Sequence, residues 1–507
     1  MVARWKLSGL VSGVLTAVMI AAACAPAAPP TNTPAPAKPA EPTKPAASAP
    51  AATTAPAAAA TTAPAAAATT APAAATKPAA AATTAPAAGA TTAPAAKPSG
   101  AAVTLSFLVN QNPDSEAAYA QIIAEYKKTN PNVDVQVEAV PFNQLFPKIQ
   151  ANAAAKTPTD IILADGPNVW NFAYNNVIAP MDEYFDQDYV KKNWLPTSLL
   201  TSYYRGKFYA PPQMESCSLL WYNQDMTDKA GIKPPQQLAE SWTTDQALDA
   251  WKKVNNPPTV YGVRWGQGTP PGQDYEAGIL RREAGAKGSP AYVGIADDGV
   301  TISGYFDHPD AIKGHQFFHD LYSVNKVSAV EGIADAWANE KAAFYVAPDT
   351  ALAAYVRLNK TFKYGVTGIP YFKGGTQLCH TDSWHYALGT YSQHKKEAAE
   401  FIKFMAGPVG SKIMYDKVKQ LPAQVDLLNT LPEYQKYPLS LVVEQFKAAG
   451  QPRILTPGFT EYNGLMIEFV GNLVQSGPDF DVKGAATAMA KRADSLMAKY
   501  KDWKTKS

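Results

Sequence analysis

Charge is scarce in this chain of 507 residues: Asp, Glu, Lys and Arg make up 17% of it, and 45 basic against 43 acidic residues leave a formal charge of +2. A soluble domain usually carries about a quarter charged residues. The near-zero balance supplies no attraction for a polyanion, and no basic stripe with interleaved aromatics occurs, which excludes nucleic acid as a partner. Histidine and cysteine are scarce too, six and three in all. The best-spaced histidines, His315 and His319 in HQFFH, stand one helical turn apart, but Gln316 takes the place where a zinc protease needs glutamate. A surface helix with Phe317 and Phe318 turned inward explains the stretch better than a metal site. No G-x-S-x-G nucleophile elbow is present. The stretch GQGTPPG, 266–272, lacks the G-x-G-x-x-G spacing and puts Pro270 and Pro271 where a phosphate-binding helix would have to open. Nothing here calls for a metal or a cofactor. Paired carboxylates for glycoside hydrolysis stay open, because their separation is not readable from a sequence.

Large side chains are missing from a long N-terminal segment. From Ala25 to Gly100 the sequence is almost wholly Ala, Pro, Thr, Ser and Lys, and TTAP recurs at Thr53, Thr61, Thr69, Thr83 and Thr91. A segment with no apolar side chain larger than alanine cannot offset the conformational entropy of folding. Its prolines favour an extended chain at about 3.1 Å per residue, a reach on the order of 100–200 Å. Ahead of it, Arg4 and Lys6 precede an apolar run, Leu7 to Ala22, that ends in small residues and Cys24. That run is too short, and too free of basic residues on its far side, for a retained membrane helix. It reads as a secretory signal over 1–23. The stretch resembles a bacterial lipoprotein signal, in which the cysteine becomes the lipidated first residue. Ala21 replaces the leucine most typical three positions earlier. Residues 24–100 are then a lipid anchor plus disordered tether, holding the protein on the extracytoplasmic face of the cell membrane.

Folding-relevant hydrophobicity begins near Val103, and roughly 400 residues follow, enough for two lobes. VTLSFLVN (Val103 to Asn110) reads as a buried strand, about Asp114 to Lys128 as a helix, and VDVQVEAV as an alternating second strand. A helix from about Phe142 to Ala155 leads to TDIILAD, a third strand ending at Asp165. This β-α-β-α-β order predicts an α/β fold with a parallel sheet, whose ligands bind beyond the carboxyl ends of the strands, where Asn110 and Asp165 fall. Aromatics are plentiful, with 10 Trp and 25 Tyr. Trp170, Trp265, Tyr275, Trp384 and Tyr462 lie beside polar residues, the combination that stacks on a pyranose face while amides and carboxylates bind its hydroxyls.

Four stretches, in order, carry a family likeness: IIAEYKKTNPNVDVQVEAVPFNQLFPKIQANAAAKTPTDIILAD, GKFYAPPQMESCSLLWYNQDMTDKAGIKPPQ, WANEKAAFYVAPDTALAAY and EAAEFIKFMAGPVGSKI. From Val103 onward the chain resembles the extracellular solute-binding proteins of ABC importers, in the carbohydrate-binding family 1 that includes maltose-binding proteins. The resemblance implies a two-lobed periplasmic-binding-protein fold with hinge strands and an interlobe ligand cleft. Residues 101–215 with 384–428 would form the N-terminal lobe, and 216–383 with 429–507 the C-terminal lobe. It implies ligand contacts from Asn110, Gln111 and Asn112, from Asp165 and Trp170, and from Glu215 and Ser216. The second lobe would add Gln273 and Tyr275, with Asp349 and Thr350 in APDT, Trp384 in TDSWHYALGT, and Tyr462 and Asn463 late in the chain. Glu215, Asp165, Asp349 and Asp382 would make the cleft acidic, suited to sugar hydroxyls and equally to an amine-bearing ligand.

The expected function is a monomeric, non-enzymatic, lipid-anchored receptor that captures a carbohydrate by lobe closure and delivers it to the transmembrane subunits of an ABC permease. An envelope-tethered glycan-active hydrolase is the alternative, and a purely adhesive surface protein a third reading. With Cys24 lipidated, Cys217 and Cys379 remain outside the reducing cytoplasm. The resemblance puts them on neighbouring hinge strands, either as a disulfide or as two buried thiols.

Overall fold

The computed structural model describes residues 102–266, 274–381 and 384–505. The signal, Cys24 and the tether lie outside the described residues, as do Gln273 and Asp382.

The first strand, Val103–Asn110, pairs in parallel with Val133–Val140 on one side and Ile161–Asp165 on the other. The β-α-β-α-β reading is thereby realised, with helices Pro113–Lys127 and Phe142–Ala154 as the crossovers. Strand alternation decides which helix covers which face. Leu105, Phe107, Val109, Ile161 and Leu163 pack with Ala118, Tyr119 and Ile122 of the first helix. Leu108, Ile162 and Ala164 pack with Leu145, Phe146 and Ile149 of the second. A late strand, Trp384–Gly389, enters this sheet antiparallel to Ile161–Asp165 and also pairs with Ile178–Ala179, giving five strands. Its register sets Trp384 opposite Asp165, at the carboxyl end of the parallel strands.

A second sheet orders Tyr364–Thr367, Leu219–Asn223, Ala342–Ala347 and Tyr261–Trp265. Leu220 and Tyr222 face a core closed by helices Asp274–Glu283, Pro309–Tyr322, Phe459–Gln475 and Val482–Met497. Leu219 and Trp221 face the opposite core, with Trp337 and helix Leu439–Ala449. With both faces covered, this sheet has no polar side.

The chain passes from the first sheet to the second through an extended segment in which Pro212 bridges to His385 and which enters the second sheet at Leu219. It returns through Cys379–His380, a short strand paired with Gly450–Gln451, to Trp384. Cys217 on the outward passage and Cys379 on the return are joined by a disulfide, their Cα atoms 5.2 Å apart.

The HQFFH helix departs from the surface position expected of it. His315 and His319 are both buried, with Nε2 of His315 3.2 Å from the Phe306 carbonyl and Nε2 of His319 3.1 Å from that of Gly477. Burial lowers the His315 pKa to about 3, so its imidazole is a neutral packing group.

Candidate functional site: an interlobe cleft

A cavity of about 200 Å³ opens where the carboxyl ends of the first sheet face the second lobe. Asn110 ends the first strand and Asn112 caps the helix that follows. The Oδ1 of Asn112 accepts the Ser115 N–H at 3.0 Å, while Glu116 reaches back to accept the Asn112 N–H at 3.0 Å. This reciprocal cap fixes the loop and leaves the amide NH₂ end of Asn112 for the cavity. Trp384 is half-buried, edge-on to Phe142 with ring centroids 6.1 Å apart, and both rings line the cavity. The Gln213 N–H donates to the Trp384 carbonyl at 2.8 Å, and its Nε2 lies 2.8 Å from the hydroxyls of both Tyr119 and Tyr386.

The second lobe supplies Ser216, Tyr275, Glu276, Thr350 and Arg453. Tyr275 is locked to the return passage: its hydroxyl donates to the His380 carbonyl at 3.0 Å, and Nδ1 of His380 lies 2.8 Å from the Tyr275 carbonyl. Burial pushes the Tyr275 hydroxyl well above its ordinary pKa, so it stays a donor.

Arg453 makes the strongest contact in the cleft. Its Nη1 and Nη2 donate to Oδ2 and Oδ1 of Asp165 at 3.0 and 2.5 Å, joining an end of the first sheet to the second lobe. The guanidinium stacks 5.4 Å from the Tyr275 centroid and 5.4 Å from that of Phe459. Burial holds the Asp165 carboxyl above its ordinary pKa, and Arg453 offsets only part of that rise.

Seven of the residues expected at the ligand thus meet around one cavity: Asn110, Asn112, Asp165, Ser216, Tyr275, Thr350 and Trp384. The others described sit elsewhere. Trp265 is fully buried, its indole N–H donating to the Glu276 carbonyl at 3.1 Å, because both faces of its sheet are covered. Trp170 packs on Tyr204 and Trp503, beside the cleft rather than in it. Tyr462 is consumed inside the second lobe, donating to Asp274 Oδ1 at 2.7 Å and accepting from Arg281 at 2.7 Å; Asn463, next on the same helix, also lies off the cavity. Gln273 and Asp382 lie outside the described residues.

The acidic cleft is corrected as well. Glu215 is fully buried, with its N–H donating to the Leu421 carbonyl at 2.7 Å and its own carbonyl accepting from Gln420 at 2.8 Å. Asp349 is fully buried too and accepts the Tyr434 hydroxyl at 2.5 Å; burial raises its pKa to about 7. Among the described residues, Asp165 is the only one of the expected acids that lines the cavity, and it is paired. Sequence reasoning missed Gln213, Glu276 and Arg453. Gln213 stands two residues before Glu215 in the same extended passage, which is not a regular strand and does not alternate strictly between faces. Arg453, in QPRIL, carries no local signal.

The region 110–412 matches the family model described as bacterial extracellular solute-binding protein. The chain belongs to that family. Among solute-binding proteins of known structure, an ABC substrate-binding protein from Listeria monocytogenes in complex with cycloalternan superposes with a TM-score of 0.66 at 18% identity, covering 78% of this chain and 99% of that one. The galactooligosaccharide-binding protein of Bacillus subtilis is 20% identical over 342 residues, 67% of this chain and 77% of its own. Proteins of Brucella abortus and Brucella suis align at 24% identity over 198 residues, so the chain spans about half, 48%, of the length of these curated relatives. The fold of this solute-binding protein is the two-lobed periplasmic one, with the described cavity between the lobes.

Proposed function

We propose that this protein is the substrate-binding component of an ABC importer, capturing a carbohydrate in the interlobe cleft and delivering it to the permease without chemical change. The observation that carries the reading is the composition of the cavity wall. Amide groups from Asn110, Asn112, Gln213 and Gln420, hydroxyls from Ser216, Tyr275 and Thr350, and one half-buried indole, Trp384, converge from both lobes. Such a set matches a ligand with many hydroxyls and one apolar ring face. Relatives whose names record a galactooligosaccharide and a cycloalternan ligand support the same class. Closure would follow from differential affinity: a ligand touching both lobes stabilises the closed arrangement by as much as it binds that arrangement better.

Lipidation of Cys24 and a tether over 24–100 fit an importer component held at the membrane, with 1–23 as the signal removed. Among the described residues no helix is long and apolar enough to cross a membrane. In this reading the folded body works as a monomer that visits its permease on a long leash. Mass spectrometry of ligand released from protein purified from its native host tests the proposal. Recovery of an intact saccharide supports it, and recovery of an amino acid, peptide or metal chelate overturns it. Cys24→Ser should release the protein from membranes; persistence in the membrane fraction after a high-salt wash would remove the anchor.

A further inference from the structure

Among the described residues the cleft is lined by two carboxylates, Asp165 and Glu276, and one guanidinium, Arg453. Both oxygens of Asp165 are occupied by Arg453 in the two-pronged geometry that matches a planar guanidinium to a carboxylate. Gly266 brings Glu276 near Arg264: its carbonyl accepts Nε of Arg264 at 3.1 Å, and a Cβ placed on it would stand 3.2 Å from the Glu276 side chain. Both charges act on the same two hydroxyls, Tyr322 and Tyr345. Among its described residues the cavity therefore offers many hydrogen-bonding groups and little uncompensated charge.

We propose that Arg453 is the specificity-determining residue of the cleft, restricting it to uncharged polyhydroxylated ligands by occupying Asp165 from across the lobe interface. The inference rests on the carbohydrate reading above and narrows it. A ligand ammonium would have to displace Arg453 from Asp165, leaving a buried guanidinium with its strongest partner gone, or else lie beside that guanidinium and be repelled. A ligand carboxylate meets the converse difficulty at Asp165 and Glu276. A neutral hydroxyl needs neither exchange: it accepts from or donates to groups around an intact pair. The stacking of Arg453 between Tyr275 and Phe459 holds the guanidinium in the plane that serves Asp165, so its position is built into the second lobe. Because the two partners belong to different lobes, the same pair ties closure to selectivity.

The test uses the full chain with three substitutions, Arg453→Met, Arg453→Lys and Asp165→Asn, titrated with maltotriose, the glucosamine trimer, spermidine and trigalacturonate. Wild-type protein should bind the glucosamine trimer and spermidine at least tenfold more weakly than Arg453→Met does, and the gain in the variant should fade with salt. Arg453→Lys, which keeps the charge, should restore rejection of both amines. Asp165→Asn should gain trigalacturonate instead, a change of sign that loss of packing cannot mimic. Unchanged amine affinity in Arg453→Met, or amine gain in Arg453→Lys equal to that in Arg453→Met, overturns the inference. Should Arg453→Met fail to fold, Asp165→Asn decides alone: no gain of trigalacturonate refutes the role. Failure of the underlying carbohydrate reading looks different, since it is seen in wild-type protein that binds no neutral saccharide while these charge exchanges are unaffected.

Discussion

Trp384 and Trp265 both end up beside the chemistry of the cleft in sequence, and only one of them reaches it in space. Trp384 is half-buried at the cavity wall, whereas Trp265 is enclosed between a strand and Trp251. Trp384→Ala should weaken saccharide binding about tenfold, near 1.4 kcal/mol, with little change in melting temperature. Trp265→Ala should instead cost about 3–5 kcal/mol of stability. Calorimetric titration and thermal melts on both variants check this, and a reversal of the two effects would exchange their roles. Asp349 makes a pH prediction. Its folded-state pKa of about 7 lies above the ordinary carboxylate value of 3.8, so the folded state holds a proton that the unfolded state releases. Stability contributed by this group is therefore full below the unfolded value and declines as pH rises from about 4 to about 7, by at most roughly 4 kcal/mol. Asp349→Asn should flatten the melting temperature across that window; an unchanged slope would contradict the burial that sets it. Residue identity alone concealed these differences, since burial belongs to partners remote in the chain. Arg453 shows the limit best: its pairing with Asp165 spans 288 positions.

At the scale of elements, the local signals were strong. The first three strands and two helices of the first lobe were legible to within a residue or two, because alternation and helical spacing are written into contiguous segments. The crossover was located and Ser216 with it, but Gln213 and Met214 line the cavity where Glu215 does not, an order with no two-residue alternation to read. In the second sheet, covered on both faces, alternation carries no in-or-out information, so Trp265 read as a cleft residue. Asn112 combines two duties, and Asn112→Ala should cost about 1 kcal/mol from the lost helix cap and weaken ligand binding as well, measured by denaturant melts and titration together. The Cys217–Cys379 disulfide staples the outward and return passages and closes a loop of 162 residues in sequence separation. Replacing both cysteines by serine should lower stability by about 2–5 kcal/mol while leaving ligand closure possible. Linked peptides in non-reducing mapping are the direct check, and two free alkylatable thiols would refute the bond.

Across the whole molecule, two sheets with separate cores flank the polar cavity, and the chain threads between them beside a covalent staple. The Asp165–Arg453 pair is not the lone interlobe contact: Asn171 donates to the Pro457 carbonyl at 2.6 Å, Tyr174 to Asp502 at 2.7 Å, and Tyr204 to the Trp503 carbonyl at 3.2 Å. Lobe closure is a hinge motion in which ligand shifts the balance of populations. The central claim is binding without turnover, and one titration addresses both halves of it. Full-length protein is titrated calorimetrically with neutral mono- and oligosaccharides, and the same samples are then analysed for reducing ends and fragments. A receptor gives saturable heat with at least one saccharide and returns that saccharide intact. Release of new reducing ends, or no heat with any neutral saccharide, would contradict it.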